Sequence, residues 1–196
     1  VARFRAFAPK ADGVGVQAAL AFAGDVYVGL SARTLDAAAL AWAQGRLRIL
    51  SGLYGLLRPL DRIQPYRLEM GTRLATERGS NLYDFWGDRL SKALNKAAQG
   101  HPDPTLVNLA SQEYFGAVDA RALKLPVVTC HFKQEQGGMV RNLGFYAKTA
   151  RGLMARFAIE RRIEQVRELQ GFATAGYRFR PDLSDANDWV FTRPHP

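Results

Sequence analysis

The sequence predicts an α+β fold, a mixed sheet with surrounding helices, and three observations lead there. Runs rich in β-branched and aromatic residues, "TLVNLA" at 105–110 and "LPVVTCHF" at 125–132, read as strands. Apolar residues spaced by three and four along "LYDFWGDRLSKALNKAA" read as a helix. Strand-like and helix-like segments follow one another through 196 residues without a repeat, a low-complexity tract or a long linker, so a single domain over 1–196 is expected.

Taken in order, "DVYVGL" at 25–30 has the composition of a strand. Thr34 suits the N-cap of a helix over "LDAAALAWAQ", which Gly45 would end. A helix closing near Leu50, a tight turn through Gly52 and Gly55, and a new helix from about Leu56 would form a hairpin of two helices. The next helix is expected over 82–98, halted by the polar "QGHPDP". The strand at 105–110 runs into Ser111, a natural N-cap for "QEYFGAVDA". Two strands should then fold about "QGG" at 136–138. The longest helix is expected over 147–169 with Gly171 as its stop, and "GYRF" and "DWVFTR" close the chain as a hairpin.

Bulk chemistry narrows the function. The chain is 47% hydrophobic and 23% charged, as globular proteins are, and no apolar run approaches the ~20 residues of a membrane span. The opening "VARFRAFAPK" has no apolar core of a leader, so the expected compartment is the cytoplasm, with no membrane partner. Cys130 is the lone cysteine, and His101, His131 and His195 match no zinc-ligand spacing; neither a metal nor a cofactor is called for. An excess of 27 Lys and Arg over 18 Asp and Glu, net +9, favours polyanionic partners or else simply solvates the surface. The excess is concentrated at 45–78 and 141–168, where in each case seven cations face three acids.

"LSGLYGLLRPLD" at 50–61 is the first candidate site. Glycines at 52 and 55 would let backbone N–H groups approach a phosphate oxygen, with Ser51 and Tyr54 beside them and Arg58 as a charged donor. That is the logic of a helix-hairpin-helix clamp on a sugar-phosphate backbone; a glycine-containing core turn is the alternative. Two prolines in "RPLDRIQPYRLEMG" rule out a long helix, so Arg58, Asp61, Gln64, Tyr66, Arg67 and Glu69 stand on a constrained loop. They serve a ligand there, or Arg58 pairs with Asp61 and Arg67 with Glu69 as structural ion pairs.

The second candidate is the basic helix. Lys148, Arg151 and Arg162 fall on one stripe with the small Ala155 between them, while Ala150, Leu153 and Phe157 face the core. A third group, Glu69, Glu113 and Tyr114, offers acid–base chemistry should the protein act on a nucleotide-like or phosphorylated small molecule held by Arg58, Arg67 and Lys148. Ser111 has no histidine placed to activate it and is read as a cap.

Five of these stretches, "LSGLYGLLRPLD", "QPYRLEMG", "LYDFWGD", "NLASQEYF" and "FYAKTARGLMARF", resemble in order and spacing the signature blocks of the YaaA family of peroxide stress proteins. The resemblance runs over 21–191. It implies a cytoplasmic bacterial protein that limits damage during hydrogen peroxide stress and restrains free iron. It further implies a positively charged cleft, a helix-hairpin-helix element binding double-stranded or distorted DNA, and no defined reaction. Ser51, Gly52, Tyr54, Gly55 and Arg58 are similar to the helix-hairpin-helix element, and Lys148 and Arg151 fall in the block that would line the cleft; Arg67 and Arg162 join them as expected nucleic-acid contacts. Members of the family usually begin with a strand ending in a Ser-Pro-Ala-Lys motif; "FAPK" at 7–10 only echoes it, and that segment is expected to be missing here.

Overall fold

The computed structural model describes residues 15–195; "FAPK" at 7–10 lies outside them. Along the chain come β1 (Val16–Gln17), α1 (Ala18–Ala21), α2 (Asp25–Leu30) and α3 (Ala37–Arg46). Three short strands follow, β2 (Ile49–Ser51), β3 (Gly55–Leu57) and β4 (Arg62–Ile63), then α4 (Leu82–Trp86) and α5 (Arg89–Ala97). Next are β5 (Leu106–Asn108), α6 (Gln112–Phe115), β6 (Val127–Gln136), β7 (Met139–Arg141) and the long α7 (Gly144–Arg161). The strands β8 (Arg178–Phe179) and β9 (Asp188–Pro194) end the described fold, which is α+β. Contacts sort the described residues into two compact units: 15–22 with 43–99 and 110–124, and 23–42 with 100–109 and 125–195.

The second unit is built on β6. Its side chains alternate, so that Val128, Cys130, Phe132 and Gln134 are buried on one face. It runs parallel to β5 and β9 and antiparallel to β7, and β9 pairs antiparallel with β8, which makes the sheet mixed. Ala147, Ala150 and Met154 of α7 pack on that face with Phe132, Phe172, Tyr177 and Phe191. Phe132 meets the other three rings at 5.4 to 5.8 Å, and each such pair adds about 0.5–1.5 kcal/mol beyond burial. The first unit holds a smaller core of Met70, Leu82, Leu90 and Ala117, flanked by Leu50, Leu56 and Trp86.

The expected strand at 25–30 is the helix α2, because tertiary contact overrides β propensity. Gly29 of α2 and Gly152 of α7 bring the two backbones together: a Cβ on Gly152 would stand 1.8 Å from the Val26 carbonyl oxygen, and one on Gly29 2.1 Å from that of Thr149. Arg156 fixes the same crossing from the side, donating to the Leu30 and Ser31 carbonyls and the Thr34 hydroxyl while pairing with Glu160 at 2.8 Å. Thr34 is therefore not the cap of α3; Asp36 is, its carboxylate accepting the Ala39 amide at 2.7 Å. That helix passes Gly45 and ends at Arg46.

Other boundaries shift as well. The helix expected over 82–98 is two, parted at Gly87. The long helix is Gly144–Arg161, not 147–169, and closes on Arg162 in the left-handed region at φ 50°. A 3₁₀ turn, Val166–Gly171, then carries the chain on. The strand at 105–110, the hairpin about 136–138 and the closing hairpin of β8 and β9 form as expected. Ser111 caps α6 by accepting the Tyr114 amide.

Candidate nucleic-acid interface

The glycine turn is a β-hairpin, not a pair of helices. Its strands β2 and β3 pair Ile49 with Leu57 and Ser51 with Gly55, leaving a three-residue loop. Two apolar triplets, each with its outer residues buried, take the extended form that lets both faces pack. The close approach that the glycines permit is made by the protein itself. Trp86 lays its ring where a Cβ on Gly55 would sit, at 2.6 Å, and Gly55 has φ +74°. Its indole N–H donates to the Gly52 carbonyl at 3.1 Å, and a Cβ on Gly52 would stand 2.5 Å from the Leu68 carbonyl oxygen. The core-turn alternative therefore accounts for both glycines, and the helix-hairpin-helix geometry is absent here.

Ser51 is wholly buried; its hydroxyl accepts the Tyr54 amide at 2.9 Å and lies 2.6 Å from the Tyr66 hydroxyl. Burial pushes the Tyr66 phenol up, opposed by the bond to Ser51. Tyr54 meets the Tyr66 ring edge-on at 5.4 Å and accepts the Gln64 amide. Ser51 and Tyr54 thus organise the loop from within. Arg58 forks onto Asp61 at 3.0–3.1 Å, and Arg67 pairs with Glu69 at 3.5 Å. The ion-pair reading of this loop is the one observed.

Glu113 accepts the Gly71 amide at 2.8 Å, tying α6 to the end of the loop. Burial pushes the Tyr114 phenol up, and the nearby Tyr66, Glu113 and Glu69 push it further. Tyr66, Glu69 and Glu113 thus surround Tyr114 within the first unit.

Lys148, Arg151 and Arg162 lie in the second unit. Between Gln136 and Ile159 the sequence has no carboxylate, and Arg141, Lys148 and Arg151 make no ion pair among the described residues. Lys148 is exposed and Arg151 half-buried, its guanidinium pushed down by burial alone. Ala155 is buried rather than a gap between charges, and Arg162 sits past the helix in its left-handed cap, so the stripe reduces to Lys148 and Arg151. Arg141, exposed at the end of β7, is the next cation before them in the sequence; the signal for it is the missing carboxylates.

Among the described residues no three His, Cys, Asp or Glu side chains cluster as metal ligands would. Burial raises the Cys130 thiol to about 12. No helix among the described residues is long and apolar enough to cross a membrane.

Fold and site define an α+β protein with an unneutralised basic stretch where a hairpin enters a long helix. The family model described as peroxide stress protein YaaA matches residues 1–183. Relatives carrying the name UPF0246 protein include one of Caulobacter vibrioides, 68% identical over 99% of this chain and 76% of its own length. One of Phenylobacterium zucineum is 66% identical over 99% and 73%, and one of Dinoroseobacter shibae 56% over 99% and 73%. The chain belongs to the YaaA family of peroxide stress proteins, and its role lies in the response to peroxide stress.

Proposed function

We propose that the protein acts in peroxide stress by binding DNA through its phosphates, largely without sequence preference, along the Arg141, Lys148 and Arg151 stretch. The observation that supports this is that among the described residues these three cations have no carboxylate partner, whereas Arg58 and Arg67 are already paired. A half-buried guanidinium without a counter-charge is costly, and an incoming phosphate supplies one. Protection then consists in shielding DNA from iron-dependent oxidation. Fluorescence titration of labelled duplex and bulged DNA tests the reading. Joint replacement Lys148→Ala and Arg151→Ala should weaken binding about tenfold, alike for every sequence. A loss confined to one sequence, or no binding by the parent protein, would count against it.

A second reading rests on Tyr66, Glu113 and Glu69 gathering near Tyr114: an enzyme acting on a nucleotide-like or phosphorylated small molecule. Saturable binding of such an anion by a parent protein that does not bind duplex DNA, with turnover lost on Glu113→Gln, would favour it over the first.

A further inference from the structure

Phe145, in the first turn of α7, is 65% exposed, and Met139 on β7 is 52% exposed. Singly exposed apolar side chains are common, so what marks this ring is its setting. The ring is held in place. Tyr146 braces it edge-on at 5.6 Å, and Tyr146 itself lies under the Arg193 guanidinium, 4.8 Å from its centroid. Arg193 in turn bonds to the wholly buried Gln134 at 2.8 Å and covers Tyr177 at 5.0 Å. A chain of contacts rooted in the sheet thus presents an aromatic surface to solvent.

Charge selects what covers it. Lys148 is three residues on along the helix, on the same side as Phe145, and Arg141 closes the neighbouring strand. The sequence has no carboxylate between 136 and 159 to pair with a basic peptide, and Glu135, opposite Val140 on β6, is taken by Arg180 and Thr192. An apolar patch on a protein partner would meet Phe145 and Met139 well and leave the cations uncompensated. A nucleotide satisfies both, its base on the ring and its phosphate on the cations, the arrangement by which single strands are held.

We infer that Phe145 is a stacking platform for an unpaired base, with Arg141 and Lys148 taking the flanking phosphates. This rests on the DNA-binding reading and adds to it a residue and a strand state: the surface discriminates unpaired from paired nucleotides, since only an unstacked base exposes its face.

The test compares a labelled oligothymidylate with a blunt duplex of equal length, using fluorescence anisotropy on the full chain. Phe145→Ala should weaken the single strand by about five- to a hundredfold and leave the duplex unchanged; Phe145→Trp should restore it. Lys148→Ala should weaken both. Because Phe145 is exposed, the alanine variant should keep the parent's thermal unfolding curve, which serves as its folding control. Equal binding of the single strand by parent and Phe145→Ala overturns the platform while leaving the phosphate reading intact, provided Lys148→Ala still weakens both. No DNA binding by the parent overturns both. Loss of single strand and duplex alike on Phe145→Ala overturns the platform too, by assigning the ring a general packing role.

Discussion

Gly52 and Gly55 are required by Trp86 and Leu68, whose atoms occupy the space a methyl group would need. The same physics acts at Gly152, where the intruding atom is backbone and has nowhere to move. Gly152→Ala should destabilise the protein by about 3 kcal/mol in urea unfolding, whereas Gly45→Ala, with nothing near its Cβ and an ordinary helical φ, should be neutral or slightly stabilising. Equal effects at the two positions would contradict the backbone contact between α2 and α7. The arginines divide in a similar way. Arg58 and Arg67 end on carboxylates of their own loop, and Arg141, Lys148 and Arg151 do not.

Elements whose signals are local were legible. The two glycines at 137 and 138 suit a tight hairpin turn, and β6 and β7 fold about them. Ser111 stood directly ahead of α6 and caps it. What failed depends on distant partners. "DVYVGL" is β-rich yet helical, because its glycine lies against α7. "ILSGLYGLL" has two apolar triplets that fit a short hairpin with a three-residue loop as well as a helical turn, and only Trp86, far along the chain, decides between them. The long helix was overrun because Arg162 gives no sequence sign of its left-handed cap. Beyond that cap the 3₁₀ turn is anchored by Asp103, which accepts the Val166 amide at 2.8 Å and both the amide and hydroxyl of Thr105. Burial pushes its carboxyl up, but those hydrogen bonds together hold it below its ordinary value near 3.8. The stabilisation is thus present above that value and is lost as pH falls through the lower folded one. Asp103→Ala should lower Tm by about 2–4 °C at neutral pH, and the difference should narrow as pH falls below the ordinary carboxyl value near 3.8. A difference independent of pH would show that the carboxylate charge has no part in it.

At the scale of the whole molecule, net charge of +9 says only that polyanions are attracted, and it does so wherever the charges lie. Pairing gives the charge a location. In the loop at 58–69 the cations are largely cancelled, so neither stretch of positive sequence can be weighed by counting residues. On the proposed reading the part of the excess that meets DNA is the carboxylate-free run at 136–159, which the sequence displays openly and which the pairing of Arg58 and Arg67 sets apart from the loop at 58–69. Membership of the YaaA family sets the physiological frame, peroxide stress, and the basic stretch supplies a chemistry by which the protein could serve it. The measurement that tests this most directly is the salt dependence of duplex binding, as log K against log[salt], for the parent and for Lys148→Ala. Phosphate contact by Lys148 predicts a steep negative slope that becomes shallower by about one in the variant. A slope identical in the two proteins, or near zero in the parent, would contradict it.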